Sequence, residues 1–201
     1  MTASTRSGPP SRGRRRGSPD TRAAILAAAR TRFADAGFAG TTIRGVAADA
    51  GVDPALVHHY FGSKDDLFVA ALELPVDPRA VLAERVVGSL EGAGERLIRA
   101  LLSVWDDPAV RPALLAMVRR LVEPGGESLF REGFLPVVLL PLGEALGVDR
   151  PGERMPLVAS QVIGVLLLRY VVRAEPLATM DADALVAAYA PVLDRFLAAP
   201  L

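Results

Sequence analysis

Apolar residues between positions 41 and 67 follow the spacing of two short helices separated by a glycine. Before Gly51, apolar positions recur at i, i+3, i+4 and i+7, which is the spacing of one buried helical face. Thr42 stands at the N-cap position, and Gly51 is suited to the left-handed conformation that ends the first helix. Asp53 and the proline after it provide an N-cap and a first turn for a second helix, predicted over residues 54–60. The segment is therefore predicted to form a helix-turn-helix.

The outer face of the second helix carries no charge. At about 100° per residue, Val57 and Phe61 face inward, whereas the outward side chains are small, apolar or imidazole groups. Such a face is unusual for a solvated surface and suits a surface that enters a DNA groove. Ser63, with Asp66 three residues later, predicts the capped start of a third helix. The outward residues are Ala55, Leu56, His58 and His59.

A longer helix is predicted ahead of this unit, from Ser18 or Asp20 to Ala36. Its inner face carries apolar residues at helical spacing, and Gly37 ends it. Phe38 is placed to pack back on that face. We expect this helix to hold the helix-turn-helix in position.

No strand alternation appears after residue 74, and the rest of the chain is predicted to be helical. Glycine and proline signals separate the helical stretches. Pro136 and Pro141 lie inside the fourth stretch, where they predict a kink or an interruption. The stretches span residues 79–90, 95–105, 108–122, 127–147, 153–174 and 181–198.

Composition narrows the class of protein. The 201 residues are 51% hydrophobic and 5% aromatic, which permits a sizeable core of small and branched side chains. Cysteine is absent, which excludes disulfides and thiolate metal sites and is typical of the cytoplasm. The two histidines are neighbours that diverge on a helix, whereas chelation needs an i, i+4 pair. We therefore predict neither a metal site nor a cofactor.

The net charge of zero hides an asymmetry. Residues 1–64 carry ten Lys/Arg and four Asp, a balance of +6, and residues 65–201 carry thirteen Arg and nineteen acids, a balance of −6. This division suits a chain whose first third meets phosphate. Residues 1–19 form a basic arm without an apolar run, and the arm is predicted to be disordered. It either contacts the phosphates or minor groove of DNA or only increases solubility.

From about Thr21 to about Leu72 the chain resembles the TetR/AcrR family of transcriptional regulators. The resemblance rests on ILAAARTRF, GFAGTT, IRGVAADA, GVD and ALVHHYFGSKDDLF. The chain departs from the family pattern at Gly45, Asp53 and His58. These departures leave the family unchanged but prevent a prediction of the operator sequence.

The resemblance implies an all-α protein with two domains, which follow the basic arm of residues 1–19. Residues 20–74 would form an N-terminal three-helix helix-turn-helix domain, and residues 75–201 a helical bundle for ligand binding and dimerisation. The implied function is a homodimeric repressor, released from double-stranded operator DNA by a small-molecule effector. A transcriptional activator, or control by a protein partner, stays open as the alternative.

Eight residues are candidates for DNA contact. The resemblance and the position of Lys64 at a helix start indicate a phosphate contact. Thr42 and Tyr60 are also candidates for phosphate, although Thr42 is also an N-cap and Tyr60 is alternatively a residue of the core edge. The base-reading candidates are Ala55, Leu56, His58, His59 and Arg44, and the two histidines are alternatively ordinary surface residues.

The most apolar run, residues 155–172, indicates a dimer interface. Its proline, serine, glutamine and arginine make a membrane span a poor interpretation. A helix that is apolar nearly all round needs cover on two sides, and a second copy of the chain would provide one of them. The predicted interface residues are Ser160, Gly164, Leu168, Leu185, Ala188, Val192 and Phe196.

The resemblance implies an effector pocket among the middle helices. Aromatic and methionine side chains at helical spacing are also typical of a plain core, so the two interpretations stay open. Gln161 and Arg169 would anchor an effector or bridge the dimer. The other pocket candidates are Trp105, Met117, Phe130, Phe134 and Tyr170.

Two other classes of protein explain less of the sequence. An enzyme is disfavoured because no cysteine nucleophile, glycine-rich phosphate loop or nucleophile-elbow spacing occurs. A helical scaffold or membrane-surface protein would explain the apolar C-terminal half but not the capped turn at residues 51–54.

Overall fold

A computed structural model of the chain describes residues 19–121 and 126–200. Over these ranges all regular structure is helical, so the all-α fold class is confirmed. Apart from residue 19, the predicted N-terminal arm lies outside the described residues. The elements are α1 (Pro19–Gly40), α2 (Ile43–Asp49), α3 (Pro54–Phe61), α4 (Lys64–Ala71), α5 (Pro78–Arg85), α6 (Ala93–Trp105), α7 (Arg111–Leu121), α8 (Gly126–Ser128), the π-helix π1 (Leu129–Leu139), α9 (Leu140–Ala145), α10 (Pro151–Leu166), the π-helix π2 (Leu167–Val172) and α11 (Ala182–Ala198).

The helices of the first 75 residues begin and end close to the predicted positions. In α1 the backbone leaves helical geometry at Gly37, with φ 67° and ψ 178°, and one further turn follows. Only α5 is clearly shorter than predicted. It ends at Arg85 instead of residue 90, and Gly88 three residues later takes φ 157°. The left-handed region favours glycine, so the chain turns there before α6.

The two prolines of the fourth predicted stretch interrupt its α-helical hydrogen bonding, as predicted. Pro136 lies inside π1 and has no N–H to donate, and Pro141 occupies the first turn of α9. The chain therefore passes through a wide π-helical segment before it returns to α-helix. Such segments often occur at functional sites, and π1 lies beside the helix-turn-helix.

Buried apolar residues form three clusters. The first contains α1 to α4, and π1 contributes Val137 and Val138 to it. The second joins α6, α9, α10 and α11. The third surrounds Trp105 and includes Leu114 and Leu166. The N-terminal helices therefore share a core with π1 and are not packed separately from the rest of the chain.

Helices α6 and α11 cross at a glycine. A Cβ on Gly94 would lie 2.5 Å from the carbonyl oxygen of Ala190, which is too close for any other residue without a shift. The Gly94 N–H donates to Asp194 Oδ1 at 2.7 Å. This close approach fixes the last helix against the middle of the molecule.

One arginine is buried where α10 begins. Arg154 is 2% exposed, and its Nη1 donates to the carbonyls of Phe196 at 2.8 Å and Ala199 at 2.9 Å. Its Nε lies 2.7 Å from Asp149 Oδ1. The buried charge is thus compensated and ties the end of α11 to α10.

The helix that runs through α10 and π2, 22 residues from Pro151 to Val172, is long and apolar enough to cross a membrane by length and composition. Only 28% of its most apolar window is buried within the chain. Much of this apolar surface therefore remains uncovered by the chain's own residues.

Candidate nucleic-acid interface

The turn between α2 and α3 is fixed by caps at both ends. The Gly45 N–H donates to Thr42 Oγ1 at 3.0 Å, which makes Thr42 the N-cap of α2. The Ala55 N–H donates to Asp53 Oδ1 at 2.8 Å, which caps α3. Gly51, with φ 65°, turns the chain between the two helices. These caps use neighbouring residues, which is why the sequence predicted them.

Helix α3 has a buried inner face and an open outer face. Val57 is fully buried and Phe61 is 8% exposed, as predicted. On the outer face Ala55, His58 and His59 are exposed, whereas Leu56 is half-buried. The sequence-predicted base-reading side chains of α3 are therefore brought together on one side of a short helix. Arg44 is exposed on α2, and Tyr60 is half-buried.

The two histidines are oriented differently. His58 Nδ1 lies 2.9 Å from the Gly62 carbonyl oxygen, which can only accept a hydrogen bond. Nδ1 therefore carries the proton of a neutral His58, and its Nε2 is left as an acceptor. The ring of His59 meets the ring of Tyr60 in an edge arrangement, with the centroids 5.5 Å apart. His58 is thus also a cap for the end of α3, a role that the sequence analysis missed.

Helix α4 begins with a capping box. The Asp66 N–H donates to Ser63 Oγ at 3.0 Å, and the Ser63 N–H donates to Asp66 Oδ2 at 3.2 Å. Lys64 follows at the first position, and its Nζ lies 4.3 Å from the centre of the Phe38 ring. Partial burial lowers the pKa of Lys64. The ammonium group is therefore held against an aromatic face at the edge of the helix-turn-helix.

An ion pair between α1 and α2 was not predicted. Arg32 donates to both carboxylate oxygens of Asp49, from Nε at 2.5 Å and from Nη2 at 2.9 Å. The hydrogen bond from Arg32 lowers the pKa of Asp49. A Cβ on Gly45 would lie 2.5 Å from Arg32 Nη1, so glycine leaves room for the arginine to cross α2. Gly45, a departure from the family pattern, was the available signal.

Arg79 connects α5 to the start of α4. Its Nη2 lies 2.8 Å from Asp66 Oδ1 and 2.9 Å from Asp77 Oδ2. Hydrogen bonds, first from Ser63 and then from Arg79, lower the pKa of Asp66. The carboxylate that caps α4 therefore also binds the helix that follows the helix-turn-helix.

A second connection joins α4 to π1. A Cβ on Gly133 would clash with the ring of Phe68, so π1 touches α4 through a position without a side chain. Phe68 packs edge-on against Phe33 and Phe38, with centroids 5.3 and 5.4 Å apart. Movement of π1 would therefore press on the aromatic centre of the N-terminal cluster.

An apolar cavity of about 130 Å³ lies among α5, α6, α7 and π1. Trp105, Met117 and Phe134, all predicted pocket residues, line it. A second cavity of about 60 Å³ is lined by Phe130 and also by Met117 and Phe134. The structure thus brings four of the predicted pocket residues to two adjacent cavities.

The remaining pocket candidates are placed elsewhere. Tyr170 borders a third cavity of about 10 Å³ and stacks on Trp105 with centroids 5.0 Å apart. Its hydroxyl donates to Asp106 Oδ1 at 2.9 Å, and burial raises the pKa of Tyr170 to about 12. Arg169 Nη1 donates to the carbonyls of Leu177 at 2.6 Å and Met180 at 2.7 Å. Gln161 and Arg169 line none of these three cavities, and their predicted role as effector anchors or dimer bridges stays a prediction.

The last helices present an exposed apolar stripe. Five large hydrophobic side chains are at least 36% exposed among the described residues, and four of them, Leu157, Leu168, Val172 and Val192, lie on α10, π2 and α11. Nothing lies within 4 Å of a Cβ built on Gly164. The predicted interface residues Ser160 and Ala188 are also exposed, and Gly164 and Phe196 are half-buried.

The position of Leu185 corrects one part of the predicted dimer interface. It is fully buried in the chain's own core, because α11 turns this residue toward α6. It has no surface to offer a second subunit. The outer face of α11 instead runs through Ala188 and Val192.

Two family models match the chain. Residues 25–71 match the bacterial regulatory proteins of the tetR family, and residues 91–197 match the tetracyclin repressor-like C-terminal domain. The chain belongs to the TetR family of transcriptional regulators. The second match alone covers more than half of the chain, and members of the family are regulators, not enzymes. The TetR/AcrR resemblance and the predicted helix-turn-helix class are confirmed.

The chain is also similar to individual proteins. An HTH-type transcriptional repressor of Streptomyces coelicolor is 33% identical over 98 residues, 49% of this chain and 47% of the relative. The regulator BetI of Rhizobium meliloti is 44% identical over 54 residues, 27% of each chain. The chain spans about half or less of the length of these two relatives. A solved TetR-family regulator of Streptomyces coelicolor is 39% identical, with 92% of this chain and 98% of that chain covered and a TM-score of 0.48.

Proposed function

We propose that this TetR-family chain is a homodimeric repressor that binds a near-palindromic operator and is released by a small-molecule ligand. One observation carries the proposal most directly. The outer face of α3 holds Ala55, His58 and His59 in the open, while capped turns fix the helix at both ends. A rigid short helix with an uncharged outer face fits the major groove.

Phosphate and base contacts would divide among the predicted residues. Thr42 and Lys64 stand at the starts of α2 and α4, where backbone N–H groups favour an anion, and Tyr60 would add a hydroxyl contact. His58 and His59 would read base edges, because a neutral His58 presents Nε2 as an acceptor to a base amino group. Ala55, Leu56 and Arg44 would complete the contacts, the first two through thymine methyl groups.

The exposed stripe on α10, π2 and α11 supports the homodimer. A second copy would cover the same side chains by two-fold symmetry, and open space at Gly164 would allow close helix approach. Paired recognition helices would then require half-sites about 34–36 Å apart, or a multiple of that distance.

The cavities support control by a ligand. Pro78 lines the larger cavity, and the next residue, Arg79, binds Asp66 at the start of α4. Phe134 lines the same cavity, and the residue before it, Gly133, abuts Phe68. A ligand that favours one arrangement of α5 and π1 would therefore shift the population of DNA-binding states. Cytoplasmic location is expected for such a regulator.

A paired-variant experiment tests the dimer and the DNA binding together. Leu168→Arg places a charge in the exposed stripe, and Val87→Arg does so at a residue equally exposed but outside it, at 41% and 40%. We expect sedimentation to give dimers for the wild type and Val87→Arg, and monomers for Leu168→Arg. Fluorescence anisotropy with a duplex obtained by in vitro selection should show loss of tight binding only for Leu168→Arg. A monomeric wild type that binds the duplex tightly would refute the homodimer.

A further inference from the structure

The larger cavity has a chemically uniform wall. All the described residues that line it are apolar, among them Leu82, Leu97, Leu101, Trp105, Leu114 and Phe134. No backbone or side-chain polar group of consequence faces its interior. A charged ligand would lose its hydration there without gaining a partner, and a polar ligand would leave its hydrogen-bonding groups unsatisfied.

Two polar side chains, Tyr170 and Arg169, lie near the Trp105 wall of the cavity without lining it. Tyr170 stacks on the indole of Trp105, but its hydroxyl donates to Asp106 and it does not line this cavity. Arg169 donates to two main-chain carbonyls after π2. Neither side chain lines the cavity, so recognition inside it depends on shape and apolar contact.

The volumes of the cavities limit the size of the ligand. The cavity volume of about 130 Å³ is close to that of an apolar protein cavity, roughly 150 Å³, that stays dry and admits benzene. The second cavity, of about 60 Å³, shares Met117, Phe134 and Leu166 with the first. Met117 is unbranched and flexible, so a change of its rotamer would open a path between the two.

We propose that the effector of this chain is an uncharged hydrocarbon-like molecule built as one ring with a short alkyl chain. The ring occupies the cavity beside Trp105, and the chain extends past Met117 toward Phe130. The inference rests on the proposed function for its regulatory meaning, whereas the binding site itself does not depend on DNA.

The chain contains its own reporter for this site. Trp105 is the only tryptophan and lines the cavity, so its fluorescence comes from the cavity wall. Bromobenzene is a ring of the proposed size whose heavy atom quenches indole fluorescence on contact. We expect saturable quenching of the full-length protein by bromobenzene, and displacement of bromobenzene by n-butylbenzene. The charged analogues 4-bromobenzoate and 4-bromobenzylammonium should bind more weakly by about tenfold or more.

Two alanine-to-leucine variants test whether bromobenzene binds in this cavity. Ala100→Leu fills part of the cavity and should weaken bromobenzene binding by about tenfold or more, whereas Ala83→Leu, an exposed position on α5, should leave it unchanged. If Ala100→Leu does not fold, the thermal midpoint of the wild type decides, because bromobenzene should raise it and the charged analogues should not. Unsaturable quenching, equal quenching by all three bromo compounds, or no rise in the midpoint would overturn the site.

A separate anisotropy measurement tests the regulatory role. n-Butylbenzene should dissociate the complex of the wild type with its selected duplex, and Ala100→Leu should resist it. Saturable quenching without dissociation would overturn the effector assignment. Saturable quenching by a protein that binds no selected duplex would refute the proposed function while the binding site stands.

Discussion

The helix-turn-helix and the larger cavity are built by different kinds of interaction. The first depends on caps between residues two or three positions apart, such as Thr42 with Gly45 and Asp53 with Ala55. The second depends on apolar packing among α5, α6, α7 and π1. Local polar contacts give one region a fixed outer face, and nonlocal apolar contacts give the other an apolar cavity.

The difference indicates how the two regions can be coupled without sharing chemistry. Caps fix the ends of α3, whereas apolar walls can adjust to a ligand. Two of the described contacts between the regions can be altered by single substitutions, Arg79 with Asp66 and Gly133 with Phe68, beside the packing of Val137 and Val138 into the N-terminal cluster. Variants that alter these contacts test the coupling between the two regions. Variants of the outer face of α3 test DNA recognition.

The Gly133→Ala variant should have the largest effect on stability. Its Cβ would clash with the Phe68 ring, and overpacking of this kind costs about 1–3 kcal/mol. Urea denaturation measures the loss. Gly152→Ala is the matched control, because nothing lies within 4 Å of its Cβ, and it should be neutral or stabilising by up to about 1 kcal/mol. Equal stability of the two variants would show that π1 does not press on α4.

The His59→Ala variant tests whether the outer face of α3 reads bases. We expect a loss of about 1–3 kcal/mol in binding to a cognate duplex, and a much smaller loss on random duplex. Anisotropy titrations at one fixed salt concentration measure both losses. Equal losses on the two duplexes would assign His59 to backbone contact instead.

The Arg79→Ala variant breaks the polar connection between α5 and α4. Arg79 is partly buried between two carboxylates, so its removal should destabilise the chain by roughly 1 kcal/mol in urea. Arg131→Ala serves as the control, because Arg131 is 69% exposed in its pair with Glu132 and should contribute less than about 0.5 kcal/mol. Ligand-induced release from DNA should weaken only in Arg79→Ala. Unchanged release would show that the contact of Arg79 with Asp66 does not couple the cavity to α4.

The smallest effect concerns the pH dependence of the α4 cap. The pKa of Asp66 is lower in the folded chain than its ordinary value of 3.8, so its carboxylate stabilises the fold above that value. The stabilisation is lost as the pH falls through the lower folded value. Asp66→Asn should therefore cost less than about 1 kcal/mol at neutral pH, given partial solvent screening, and almost nothing in acid. A difference in urea stability that grows on acidification would contradict this assignment.

Sequence alone predicted the parts of the site that local rules determine. The caps of α2, α3 and α4 and the inward positions Val57 and Phe61 could be deduced because each depends on neighbours along one helix or turn. The ion pair of Arg32 with Asp49 spans 17 residues and depends on the crossing of two helices, so its only local signal was the unusual glycine at position 45.

Helical spacing also could not distinguish which apolar face meets the chain's own core. Leu185 shares a stripe with Ala188 and Val192, yet the crossing of α6 at Gly94 turns Leu185 inward. Arg169 was predicted to anchor an effector or to bridge the dimer, and the sequence did not indicate that its Nη1 also donates to two main-chain carbonyls after π2. The burial of Leu185 and the hydrogen bonds of Arg169 both depend on tertiary packing, which the spacing of apolar residues does not specify.

In vitro selection of DNA by the purified full-length chain tests the central claim most directly. The account predicts enrichment of one sequence repeated in inverted orientation, with half-site centres about 34–36 Å apart or a multiple of that distance. Recovery of a single unpaired site, or no enrichment over random duplex, would contradict a dimer that reads DNA through the outer face of α3.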